Sequence, residues 1–475
     1  MIDAKNLLQQ LYFIHTGIDA IEIEQITGSG SNRSYFRIRG KARDCIGVYG
    51  ESIAENKAFI ELARHFREKK LPVPLVYAVS DNGLCYLQED LGNISLFDCI
   101  CRRNRQALVD FPEKNELFQA IRYLPHFQFE GADGWDFSQS YPVATFNTRT
   151  VAWDLNYFKY CFLKPSGIDF SEPALEDDFD RLTHELLSGE LFSENTNTFM
   201  YRDFQSRNVL IKNGKVFFID FQGGQRGPVY YDLASFVWQA KADFSLAERE
   251  ELITVYLDEL QKFCQADADN FRKTLRHYAL FRTLQVLGAY GFRGCFEKKA
   301  HFLQSIPLAL KNANELLLNM PEYPHLSKII TQFIHKQQDD SCNVTSNLLV
   351  TVYSFSYKKG IPEDDSGNGG GFVFDCRSIH NPGRYAEYRH LTGLDKEVVC
   401  FLEKNGEVFP FLDAAYALAD TAVKRYIERD FTRLMFAFGC TGGQHRSVYC
   451  AQKLTEHLTQ KFAVNVKLIH REFCM

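Results

Sequence analysis

Asp203, Asn208 and Asp220 are the residues of this 475-residue chain whose types and spacing could do chemistry together. They sit in Tyr201-Arg202-Asp203-Phe204-Gln205-Ser206-Arg207-Asn208 and in Ile219-Asp220-Phe221-Gln222-Gly223. Transfer of a phosphoryl group to a hydroxyl asks for one carboxylate beside the attacking oxygen, to orient it and accept its proton. It also asks for an amide and a second carboxylate to hold the metal ions that bridge the phosphates. Asp203 fits the first role and Asn208 with Asp220 the second, with ATP as donor and Mg2+ as metal. The plainer alternative makes Asp203 and Asn208 loop polar groups and Asp220 the end of a strand. Agreement of three parts in order and spacing favours the chemistry.

Elements must bring these residues to one place. Val209-Leu210-Ile211 and Val216-Phe217-Phe218-Ile219 read as strands paired around the turn Asn213-Gly214, which returns Asn208 and Asp220 to the same end. Upstream, Gly28-Ser29-Gly30-Ser31-Asn32 joins two expected strands and is the candidate phosphate-covering loop. Glycine lets the backbone approach phosphate, and N–H groups with serine hydroxyls can donate to it. The third strand, Cys45 to Tyr49, carries no lysine to pair with Glu55 and the phosphates; Lys41, Arg43 or Lys57 is a candidate to substitute from nearby, and the alternative is a clamp without that lysine. The stretch Gln88-Glu89-Asp90-Leu91 reads as a hinge whose extended backbone holds adenine. The expected nucleotide site is thus Gly28, Ser29, Gly30, Ser31, Glu55, Gln88, Asp90 and Leu91.

The chain around these motifs begins with an amphipathic helical pattern over its first 25 residues, with Leu7, Leu8, Leu11 and Ile14 at helical spacing. Strands follow over 26–50, then a helix from Glu55 to Lys69 and a strand pair ending near Gly92. A mostly helical segment occupies 95–320. This is the order of an α+β two-lobed protein-kinase-like domain, residues 1–320, with an N-lobe of about 20–92 and a C-lobe of about 93–320. A linker is expected over 321–345: a short helix (Leu326 to Gln337) leading into polar Lys336 to Ser341. Strands at Leu348–Phe355, Phe372–Asp375, Leu434–Phe438 and Val464–Ile469, with helical patterns at 411–429 and 445–460, predict a small α/β domain over 346–475. Gly367-Asn368-Gly369-Gly370-Gly371 reads as a flexible loop inside it.

Composition bounds the function class. Hydrophobic content of 45% with 24% charged residues describes a globular chain, and the net charge of −6 gives no global argument for nucleic-acid binding. No cationic segment precedes an apolar run and no stretch reaches membrane-spanning length, so a cytoplasmic protein without membrane partners is expected. The thirteen cysteines form no Cys-x-x-Cys pair and read as buried thiols.

A second phosphate-handling motif lies in the C-terminal domain. The apolar Phe436-Ala437-Phe438 runs into Gly439-Cys440-Thr441-Gly442-Gly443-Gln444-His445-Arg446-Ser447, followed by a helix with Val448, Ala451, Leu454 and Leu458 on one face. A strand, a glycine turn and a helix start converge N–H groups and the helix dipole on an anion, and His445 and Arg446 can add charge. Cys440, Gly443, Arg446 and Ser447 also satisfy a Cys-x-x-Gly-x-x-Arg-Ser pattern, in which a low-pKa thiol serves as phosphatase nucleophile. No motif supplies the accompanying general-acid Asp.

On Leu87-Gln88-Glu89-Asp90-Leu91-Gly92, Tyr201 to Asn208, Ile219 to Gln222 and Tyr231-Asp232-Leu233-Ala234-Ser235, residues 20–310 resemble the aminoglycoside phosphotransferase/choline kinase-like family. They are most similar to its cell-wall amino-sugar kinases. The resemblance implies Asp203 as base, Asn208 and Asp220 as Mg2+ ligands, and a sugar or amino sugar as acceptor. Tyr201 stands where kinases usually carry a His that braces the catalytic loop. The stretch Trp153 to Phe158 is either an acceptor wall or ordinary helix packing. From about Ser354 the chain resembles the C-terminal domain of the RNase adaptor protein RapZ, on Ser354-Phe355-Ser356-Tyr357-Lys358, Phe374-Asp375-Cys376-Arg377, Leu391 to Lys396 and Gly439 to Tyr449. That resemblance implies a glucosamine-6-phosphate site including Cys440, Thr441, Gly442, Gly443, Gln444, His445, Arg446 and Ser447, and a part in small-RNA binding. Here Gly383 follows Asn381-Pro382 where a site histidine is expected, leaving His380 or His390 to serve. Residues 346–475 carry 16 Lys and Arg against 15 Asp and Glu, and the basic tail tied to RNA binding is missing, so sugar phosphate is the better supported partner. The leading expectation is an ATP-dependent amino-sugar kinase fused to a sugar-phosphate sensor. The alternatives are a pseudokinase-based adaptor and, third, a phosphatase.

Overall fold

The computed structural model describes residues 4–26, 33–103, 108, 111–188, 196–297, 305–341, 348–364, 371–404, 406–429, 431–462 and 464–473. The chain divides into two compact units, Met1–Ile334 and His335–Met475. In the first, strands β1 (Glu22–Ile26), β2 (Ser34–Arg39), β3 (Cys45–Tyr49), β4 (Val76–Val79) and β5 (Cys85–Glu89) form one antiparallel sheet in the order β1-β2-β3-β5-β4.

Alternation along these strands sorts their side chains between two faces. Cys45, Cys85 and Leu87 pack with Leu8, Leu11 and Tyr12 of the helix Ala4–Thr16 on the outer face. Ile46, Val48 and Tyr86 point the other way, into the large core that holds Phe59, Ile60 and Ala63 of the helix Ile53–Glu68. That second helix starts where Ser52 Oγ accepts the N–H of Glu55, at 3.3 Å. The first helix stops at Thr16 rather than running to residue 25; Leu7, Leu8 and Leu11 of its expected apolar face find partners, while Ile14 is 78% exposed.

The rest of this unit is helical: Lys114–Phe129, Thr148–Phe158, Glu172–Leu187, Val229–Val237, Leu246–Leu260, Ala268–Gly291 and Ile306–Leu317. Short ribbons interrupt it. β6 (Phe199–Met200) pairs with β9 (Gln225–Arg226), and between them β7 (Val209–Lys212) pairs with β8 (Lys215–Phe218). The expected hairpin forms, with Asn213 at φ 53° and Gly214 at φ 68°. Two successive left-handed residues match the twist of the strands they join. Phe66, Phe127, Phe199 and Phe221 interlock edge-to-face, with centroids 5.1–5.3 Å apart around Phe66, and tie the sheet-side helix to the helical lobe.

The second unit is an all-parallel sheet in the order β11-β12-β10-β13: β10 (Leu349–Ser356), β11 (Phe372–Asp375), β12 (Arg433–Cys440) and β13 (Asn465–His470). β12 is buried at every position after Arg433, as an interior parallel strand must be. Helices Lys396–Lys404, Val408–Glu428 and Arg446–Lys461 surround it; the first of these was not anticipated. The helix Pro324–Ser341 covers the short helix expected over Leu326 to Gln337 and continues through the stretch to Ser341 expected to be polar linker. The glycine loop 367–370 lies outside the described residues. Among the described residues no helix is long and apolar enough to cross a membrane.

Candidate active site and C-terminal anion loop

The β7–β8 hairpin carries the chain from Asn208 out and back to Asp220. Asn208 Nδ2 donates to the carbonyl of Asp203 at 2.9 Å and lies 3.4 Å from Asp220 Oδ2, so the three expected residues converge. Gln222 Nε2 donates to the other Asp220 oxygen at 2.7 Å. Asp220 is left-handed (φ 68°), a conformation that Asp tolerates better than most residues, and it is followed by buried Phe221, which stacks on Phe59 at 4.8 Å. Tyr201, in the place usual for His, donates from its hydroxyl to the carbonyl of Ile219 at 2.6 Å. It thereby braces the residue before Asp220 from inside the core.

Sequence reasoning left out several supports. Asp232, in the buried helix Val229–Val237, accepts the N–H groups of Tyr201 at 2.7 Å and Arg202 at 2.9 Å. Burial pushes its pKa up to about 7 against those two donors. An acid inside the apolar run Val229-Tyr230-Tyr231-Asp232-Leu233 was the available signal. Arg202, itself left-handed (φ 76°), forks onto Asp154 at 2.9 and 3.2 Å. Asp154 is therefore a brace of the Asp203 loop, while its neighbour Trp153 is 56% exposed.

Burial and the neighbouring Asp220 carboxylate raise the pKa of Asp203, opposed by Arg282, Arg202 and Arg207. Two carboxylates this close repel unless a cation joins them. The donors on offer, carboxylate oxygens and an amide, are the hard oxygen set that suits Mg2+, which commonly leaves further positions to phosphates and water. The residues present thus fit the ion.

On the nucleotide side, Gly28, Ser29, Gly30 and Ser31 lie outside the described residues. Gln88 is buried on β5, and Leu91 is 3% exposed. The Asp90 carboxylate accepts from Arg37 (2.6 and 3.0 Å) and the N–H of Gly92 (2.9 Å), and its carbonyl accepts from Lys212 (2.9 Å). It braces the hinge, so its side chain is committed to protein. Glu55 pairs with Arg33 at 2.8 Å.

None of the three expected lysine substitutes is placed to serve. The turn holding Lys41 and Arg43 is at the Glu89 end of the sheet, since Cys45 lies opposite Glu89, and the Arg43 guanidinium sits 4.1 Å over the Tyr77 ring on the outer side. Lys57 is exposed, two residues and about 200° around the helix from Glu55. The inward-facing third-strand positions, Ile46 and Val48, are apolar.

In the second unit, Cys440 ends β12 opposite Ser356 of β10. The thiol accepts the N–H of Gly443 at 3.2 Å and meets Ser447 Oγ at 3.1 Å. Burial would raise its pKa, but the donors of Ser447 and Gly443 and the charge of Arg446 outweigh it and lower the value. The side chains of Gln444, His445 and Arg446 turn away from the loop, contrary to expectation. Gln444 Nε2 donates to the carbonyls of Arg389 and Leu391, His445 Nε2 meets that of Tyr388, and Arg446 Nη1 donates to those of Arg377 and Ile379. They fasten segment 377–391 to the loop, so the charge of Arg446 reaches Cys440 from behind. Thr441 and Gly442 are exposed. A Cβ on Gly383 would lie 3.4 Å from the His445 ring, so His445 borders the position where the expected histidine is missing. His380 is engaged with Tyr385 Oη at 3.2 Å.

Fold and site together define a kinase-like phosphotransferase unit followed by a small parallel α/β unit. Residues 22–266 match the phosphotransferase enzyme family, and the chain belongs to it. Residues 348–474 match the RapZ C-terminal domain. Among curated proteins, a nucleotide-binding protein of Idiomarina loihiensis is 40% identical over 125 residues, 26% of this chain and 42% of that protein. A nucleotide-binding protein of Mannheimia succiniciproducens is 33% identical over 214 residues, 44% of this chain and 67% of its own length. The chain therefore spans only two-fifths to two-thirds of these relatives. Among solved structures, choline kinase from Cryptosporidium parvum aligns with TM-score 0.45 and 14% identity, over 65% of this chain and 93% of its own. An ADP-bound aminoglycoside phosphotransferase aligns with TM-score 0.45 and 14% identity, over 66% and 99%.

Proposed function

We propose that the first unit is an ATP- and Mg2+-dependent kinase that phosphorylates a hydroxyl of a sugar or amino sugar, and that the second binds an amino-sugar phosphate. The observation that carries the first half is the convergence of Asp203, Asn208 and Asp220 at the base of one hairpin. Bound ATP with Mg2+ would supply the phosphoryl group and neutralise charge developing on its oxygens. Asp220 and Asn208 would hold the metal, the former kept in place by Gln222 and the latter by the Asp203 carbonyl. Asp203 would orient the acceptor hydroxyl and take its proton, on a loop anchored through Asp232 and Arg202–Asp154.

A panel of amino sugars with ATP and Mg2+ is the test. Turnover of one acceptor is expected, falling about 100- to 10,000-fold in Asp203→Asn and vanishing when Mg2+ is chelated. Failure to turn over any acceptor, with normal nucleotide binding, would sink the reading in favour of a pseudokinase-based regulatory adaptor binding sugar phosphate. The apolar Ile46 and Val48 are the observation on that side.

The lowered Cys440 pKa favours the phosphatase alternative. The commitment of Arg446 to two backbone carbonyls weighs against it, because that guanidinium should face the phosphate.

A further inference from the structure

We infer that Arg33 takes over the phosphate-clamping duty of the lysine missing from β3, gripping nucleotide phosphate oxygens while paired to Glu55. The inference rests on the nucleotide-dependent reading of the first unit. Arg33 directly precedes β2, and Ser34 lies opposite Tyr49, so it stands at the end of the sheet away from the Glu89 hinge. Its side chain is 3% exposed, and its Nη2 meets Glu55 Oε1 at 2.8 Å. The guanidinium carbon lies 5.8 Å over the ring of Phe59, one helical turn after Glu55. Phe59 in turn stacks on Phe221, the residue after Asp220.

Burial opposes the Arg33 charge, and Tyr86, Tyr35, Glu55 and Asp220 support it. A fixed cation paired with a helix carboxylate is the arrangement that kinase-type phosphoryl transfer uses. A guanidinium carries five N–H donors in a planar fork, a geometry that matches phosphate oxygens. Sequence spacing hid this, because the cation moved from the strand that usually carries it to the start of the preceding one.

The plainer reading makes Arg33–Glu55 a structural tie between strand and helix. Calorimetry on the full chain separates the two, with ADP and Mg2+ against adenosine as the phosphate-free control. Arg33→Ala should weaken ADP about 10- to 100-fold and leave adenosine within about twofold. Should that variant fold poorly, Arg33→Met with Glu55→Leu replaces the pair by apolar side chains of similar size and preserves packing. It should show the same selective loss. Unchanged ADP affinity, or equal weakening of ADP and adenosine, would overturn the inference. Both probes report binding, so absence of turnover on every acceptor would defeat the kinase reading without touching this result.

Discussion

Asp203, Asn208 and Asp220 were legible because their partnership is written locally, in a five-residue interval and a two-residue turn. Arg33 was not, since its partner Glu55 is fixed by sheet register and helix orientation, 22 residues along the chain. At Gln444, His445 and Arg446 the side chains point elsewhere than expected. Which way a loop side chain points is decided by carbonyls on segment 377–391 that no spacing rule names. Glu472 was passed over entirely, although it closes the same loop from the other side. Its carboxylate meets Lys359 at 2.6 Å and the N–H of Ser356 at 3.1 Å, and a Cβ on Gly443 would collide with it. Burial raises its pKa, but Lys359 and the Ser356 N–H outweigh burial and hold it below the ordinary value. A depressed carboxylate stabilises above its unfolded pKa, near 4.3, and that contribution is lost as pH falls through the lower folded value. Melting of the second unit should therefore drop more steeply below about pH 4 in the natural protein than in Glu472→Gln. Parallel curves, followed by circular dichroism, would show that the carboxylate is not held.

At the scale of elements, period and turn chemistry were enough for both sheets, the β7–β8 hairpin and the helix after the anion loop. Helix contacts were not foreseen, because close approach depends on which glycines meet which backbone. Gly288, in the helix Ala268–Gly291, shows the point. A Cβ there would lie 2.8 Å from the N of Phe158 and 2.9 Å from the carbonyl carbon of Tyr157, and one on Gly291 would run into the Cys161 carbonyl. These glycines let the long helix lie backbone to backbone against Thr148–Phe158, the helix that supplies Asp154 to Arg202. Gly288→Ala is expected to cost about 1–3 kcal/mol by forcing the two backbones apart. Urea denaturation of the full chain checks it, and a neutral or stabilising effect would mean that the crossing yields without strain.

The molecule as a whole is two units with separate cores, one built on interlocked phenylalanines and the other on parallel strands. Two thermal transitions are expected. ADP with Mg2+ should raise that of the first unit and glucosamine-6-phosphate that of the second, each by mass action. One transition shifted by either ligand would refute the separation. The strand order of the second unit has a further consequence for how the protein is made. β10, the earliest strand of its sheet to be synthesised, is flanked by β12 and β13, so its neighbours emerge from the ribosome some 80 to 110 residues later. Until His470 has emerged, one edge of an apolar strand stays open to other chains, and this unit is where slow folding and dependence on chaperones should concentrate.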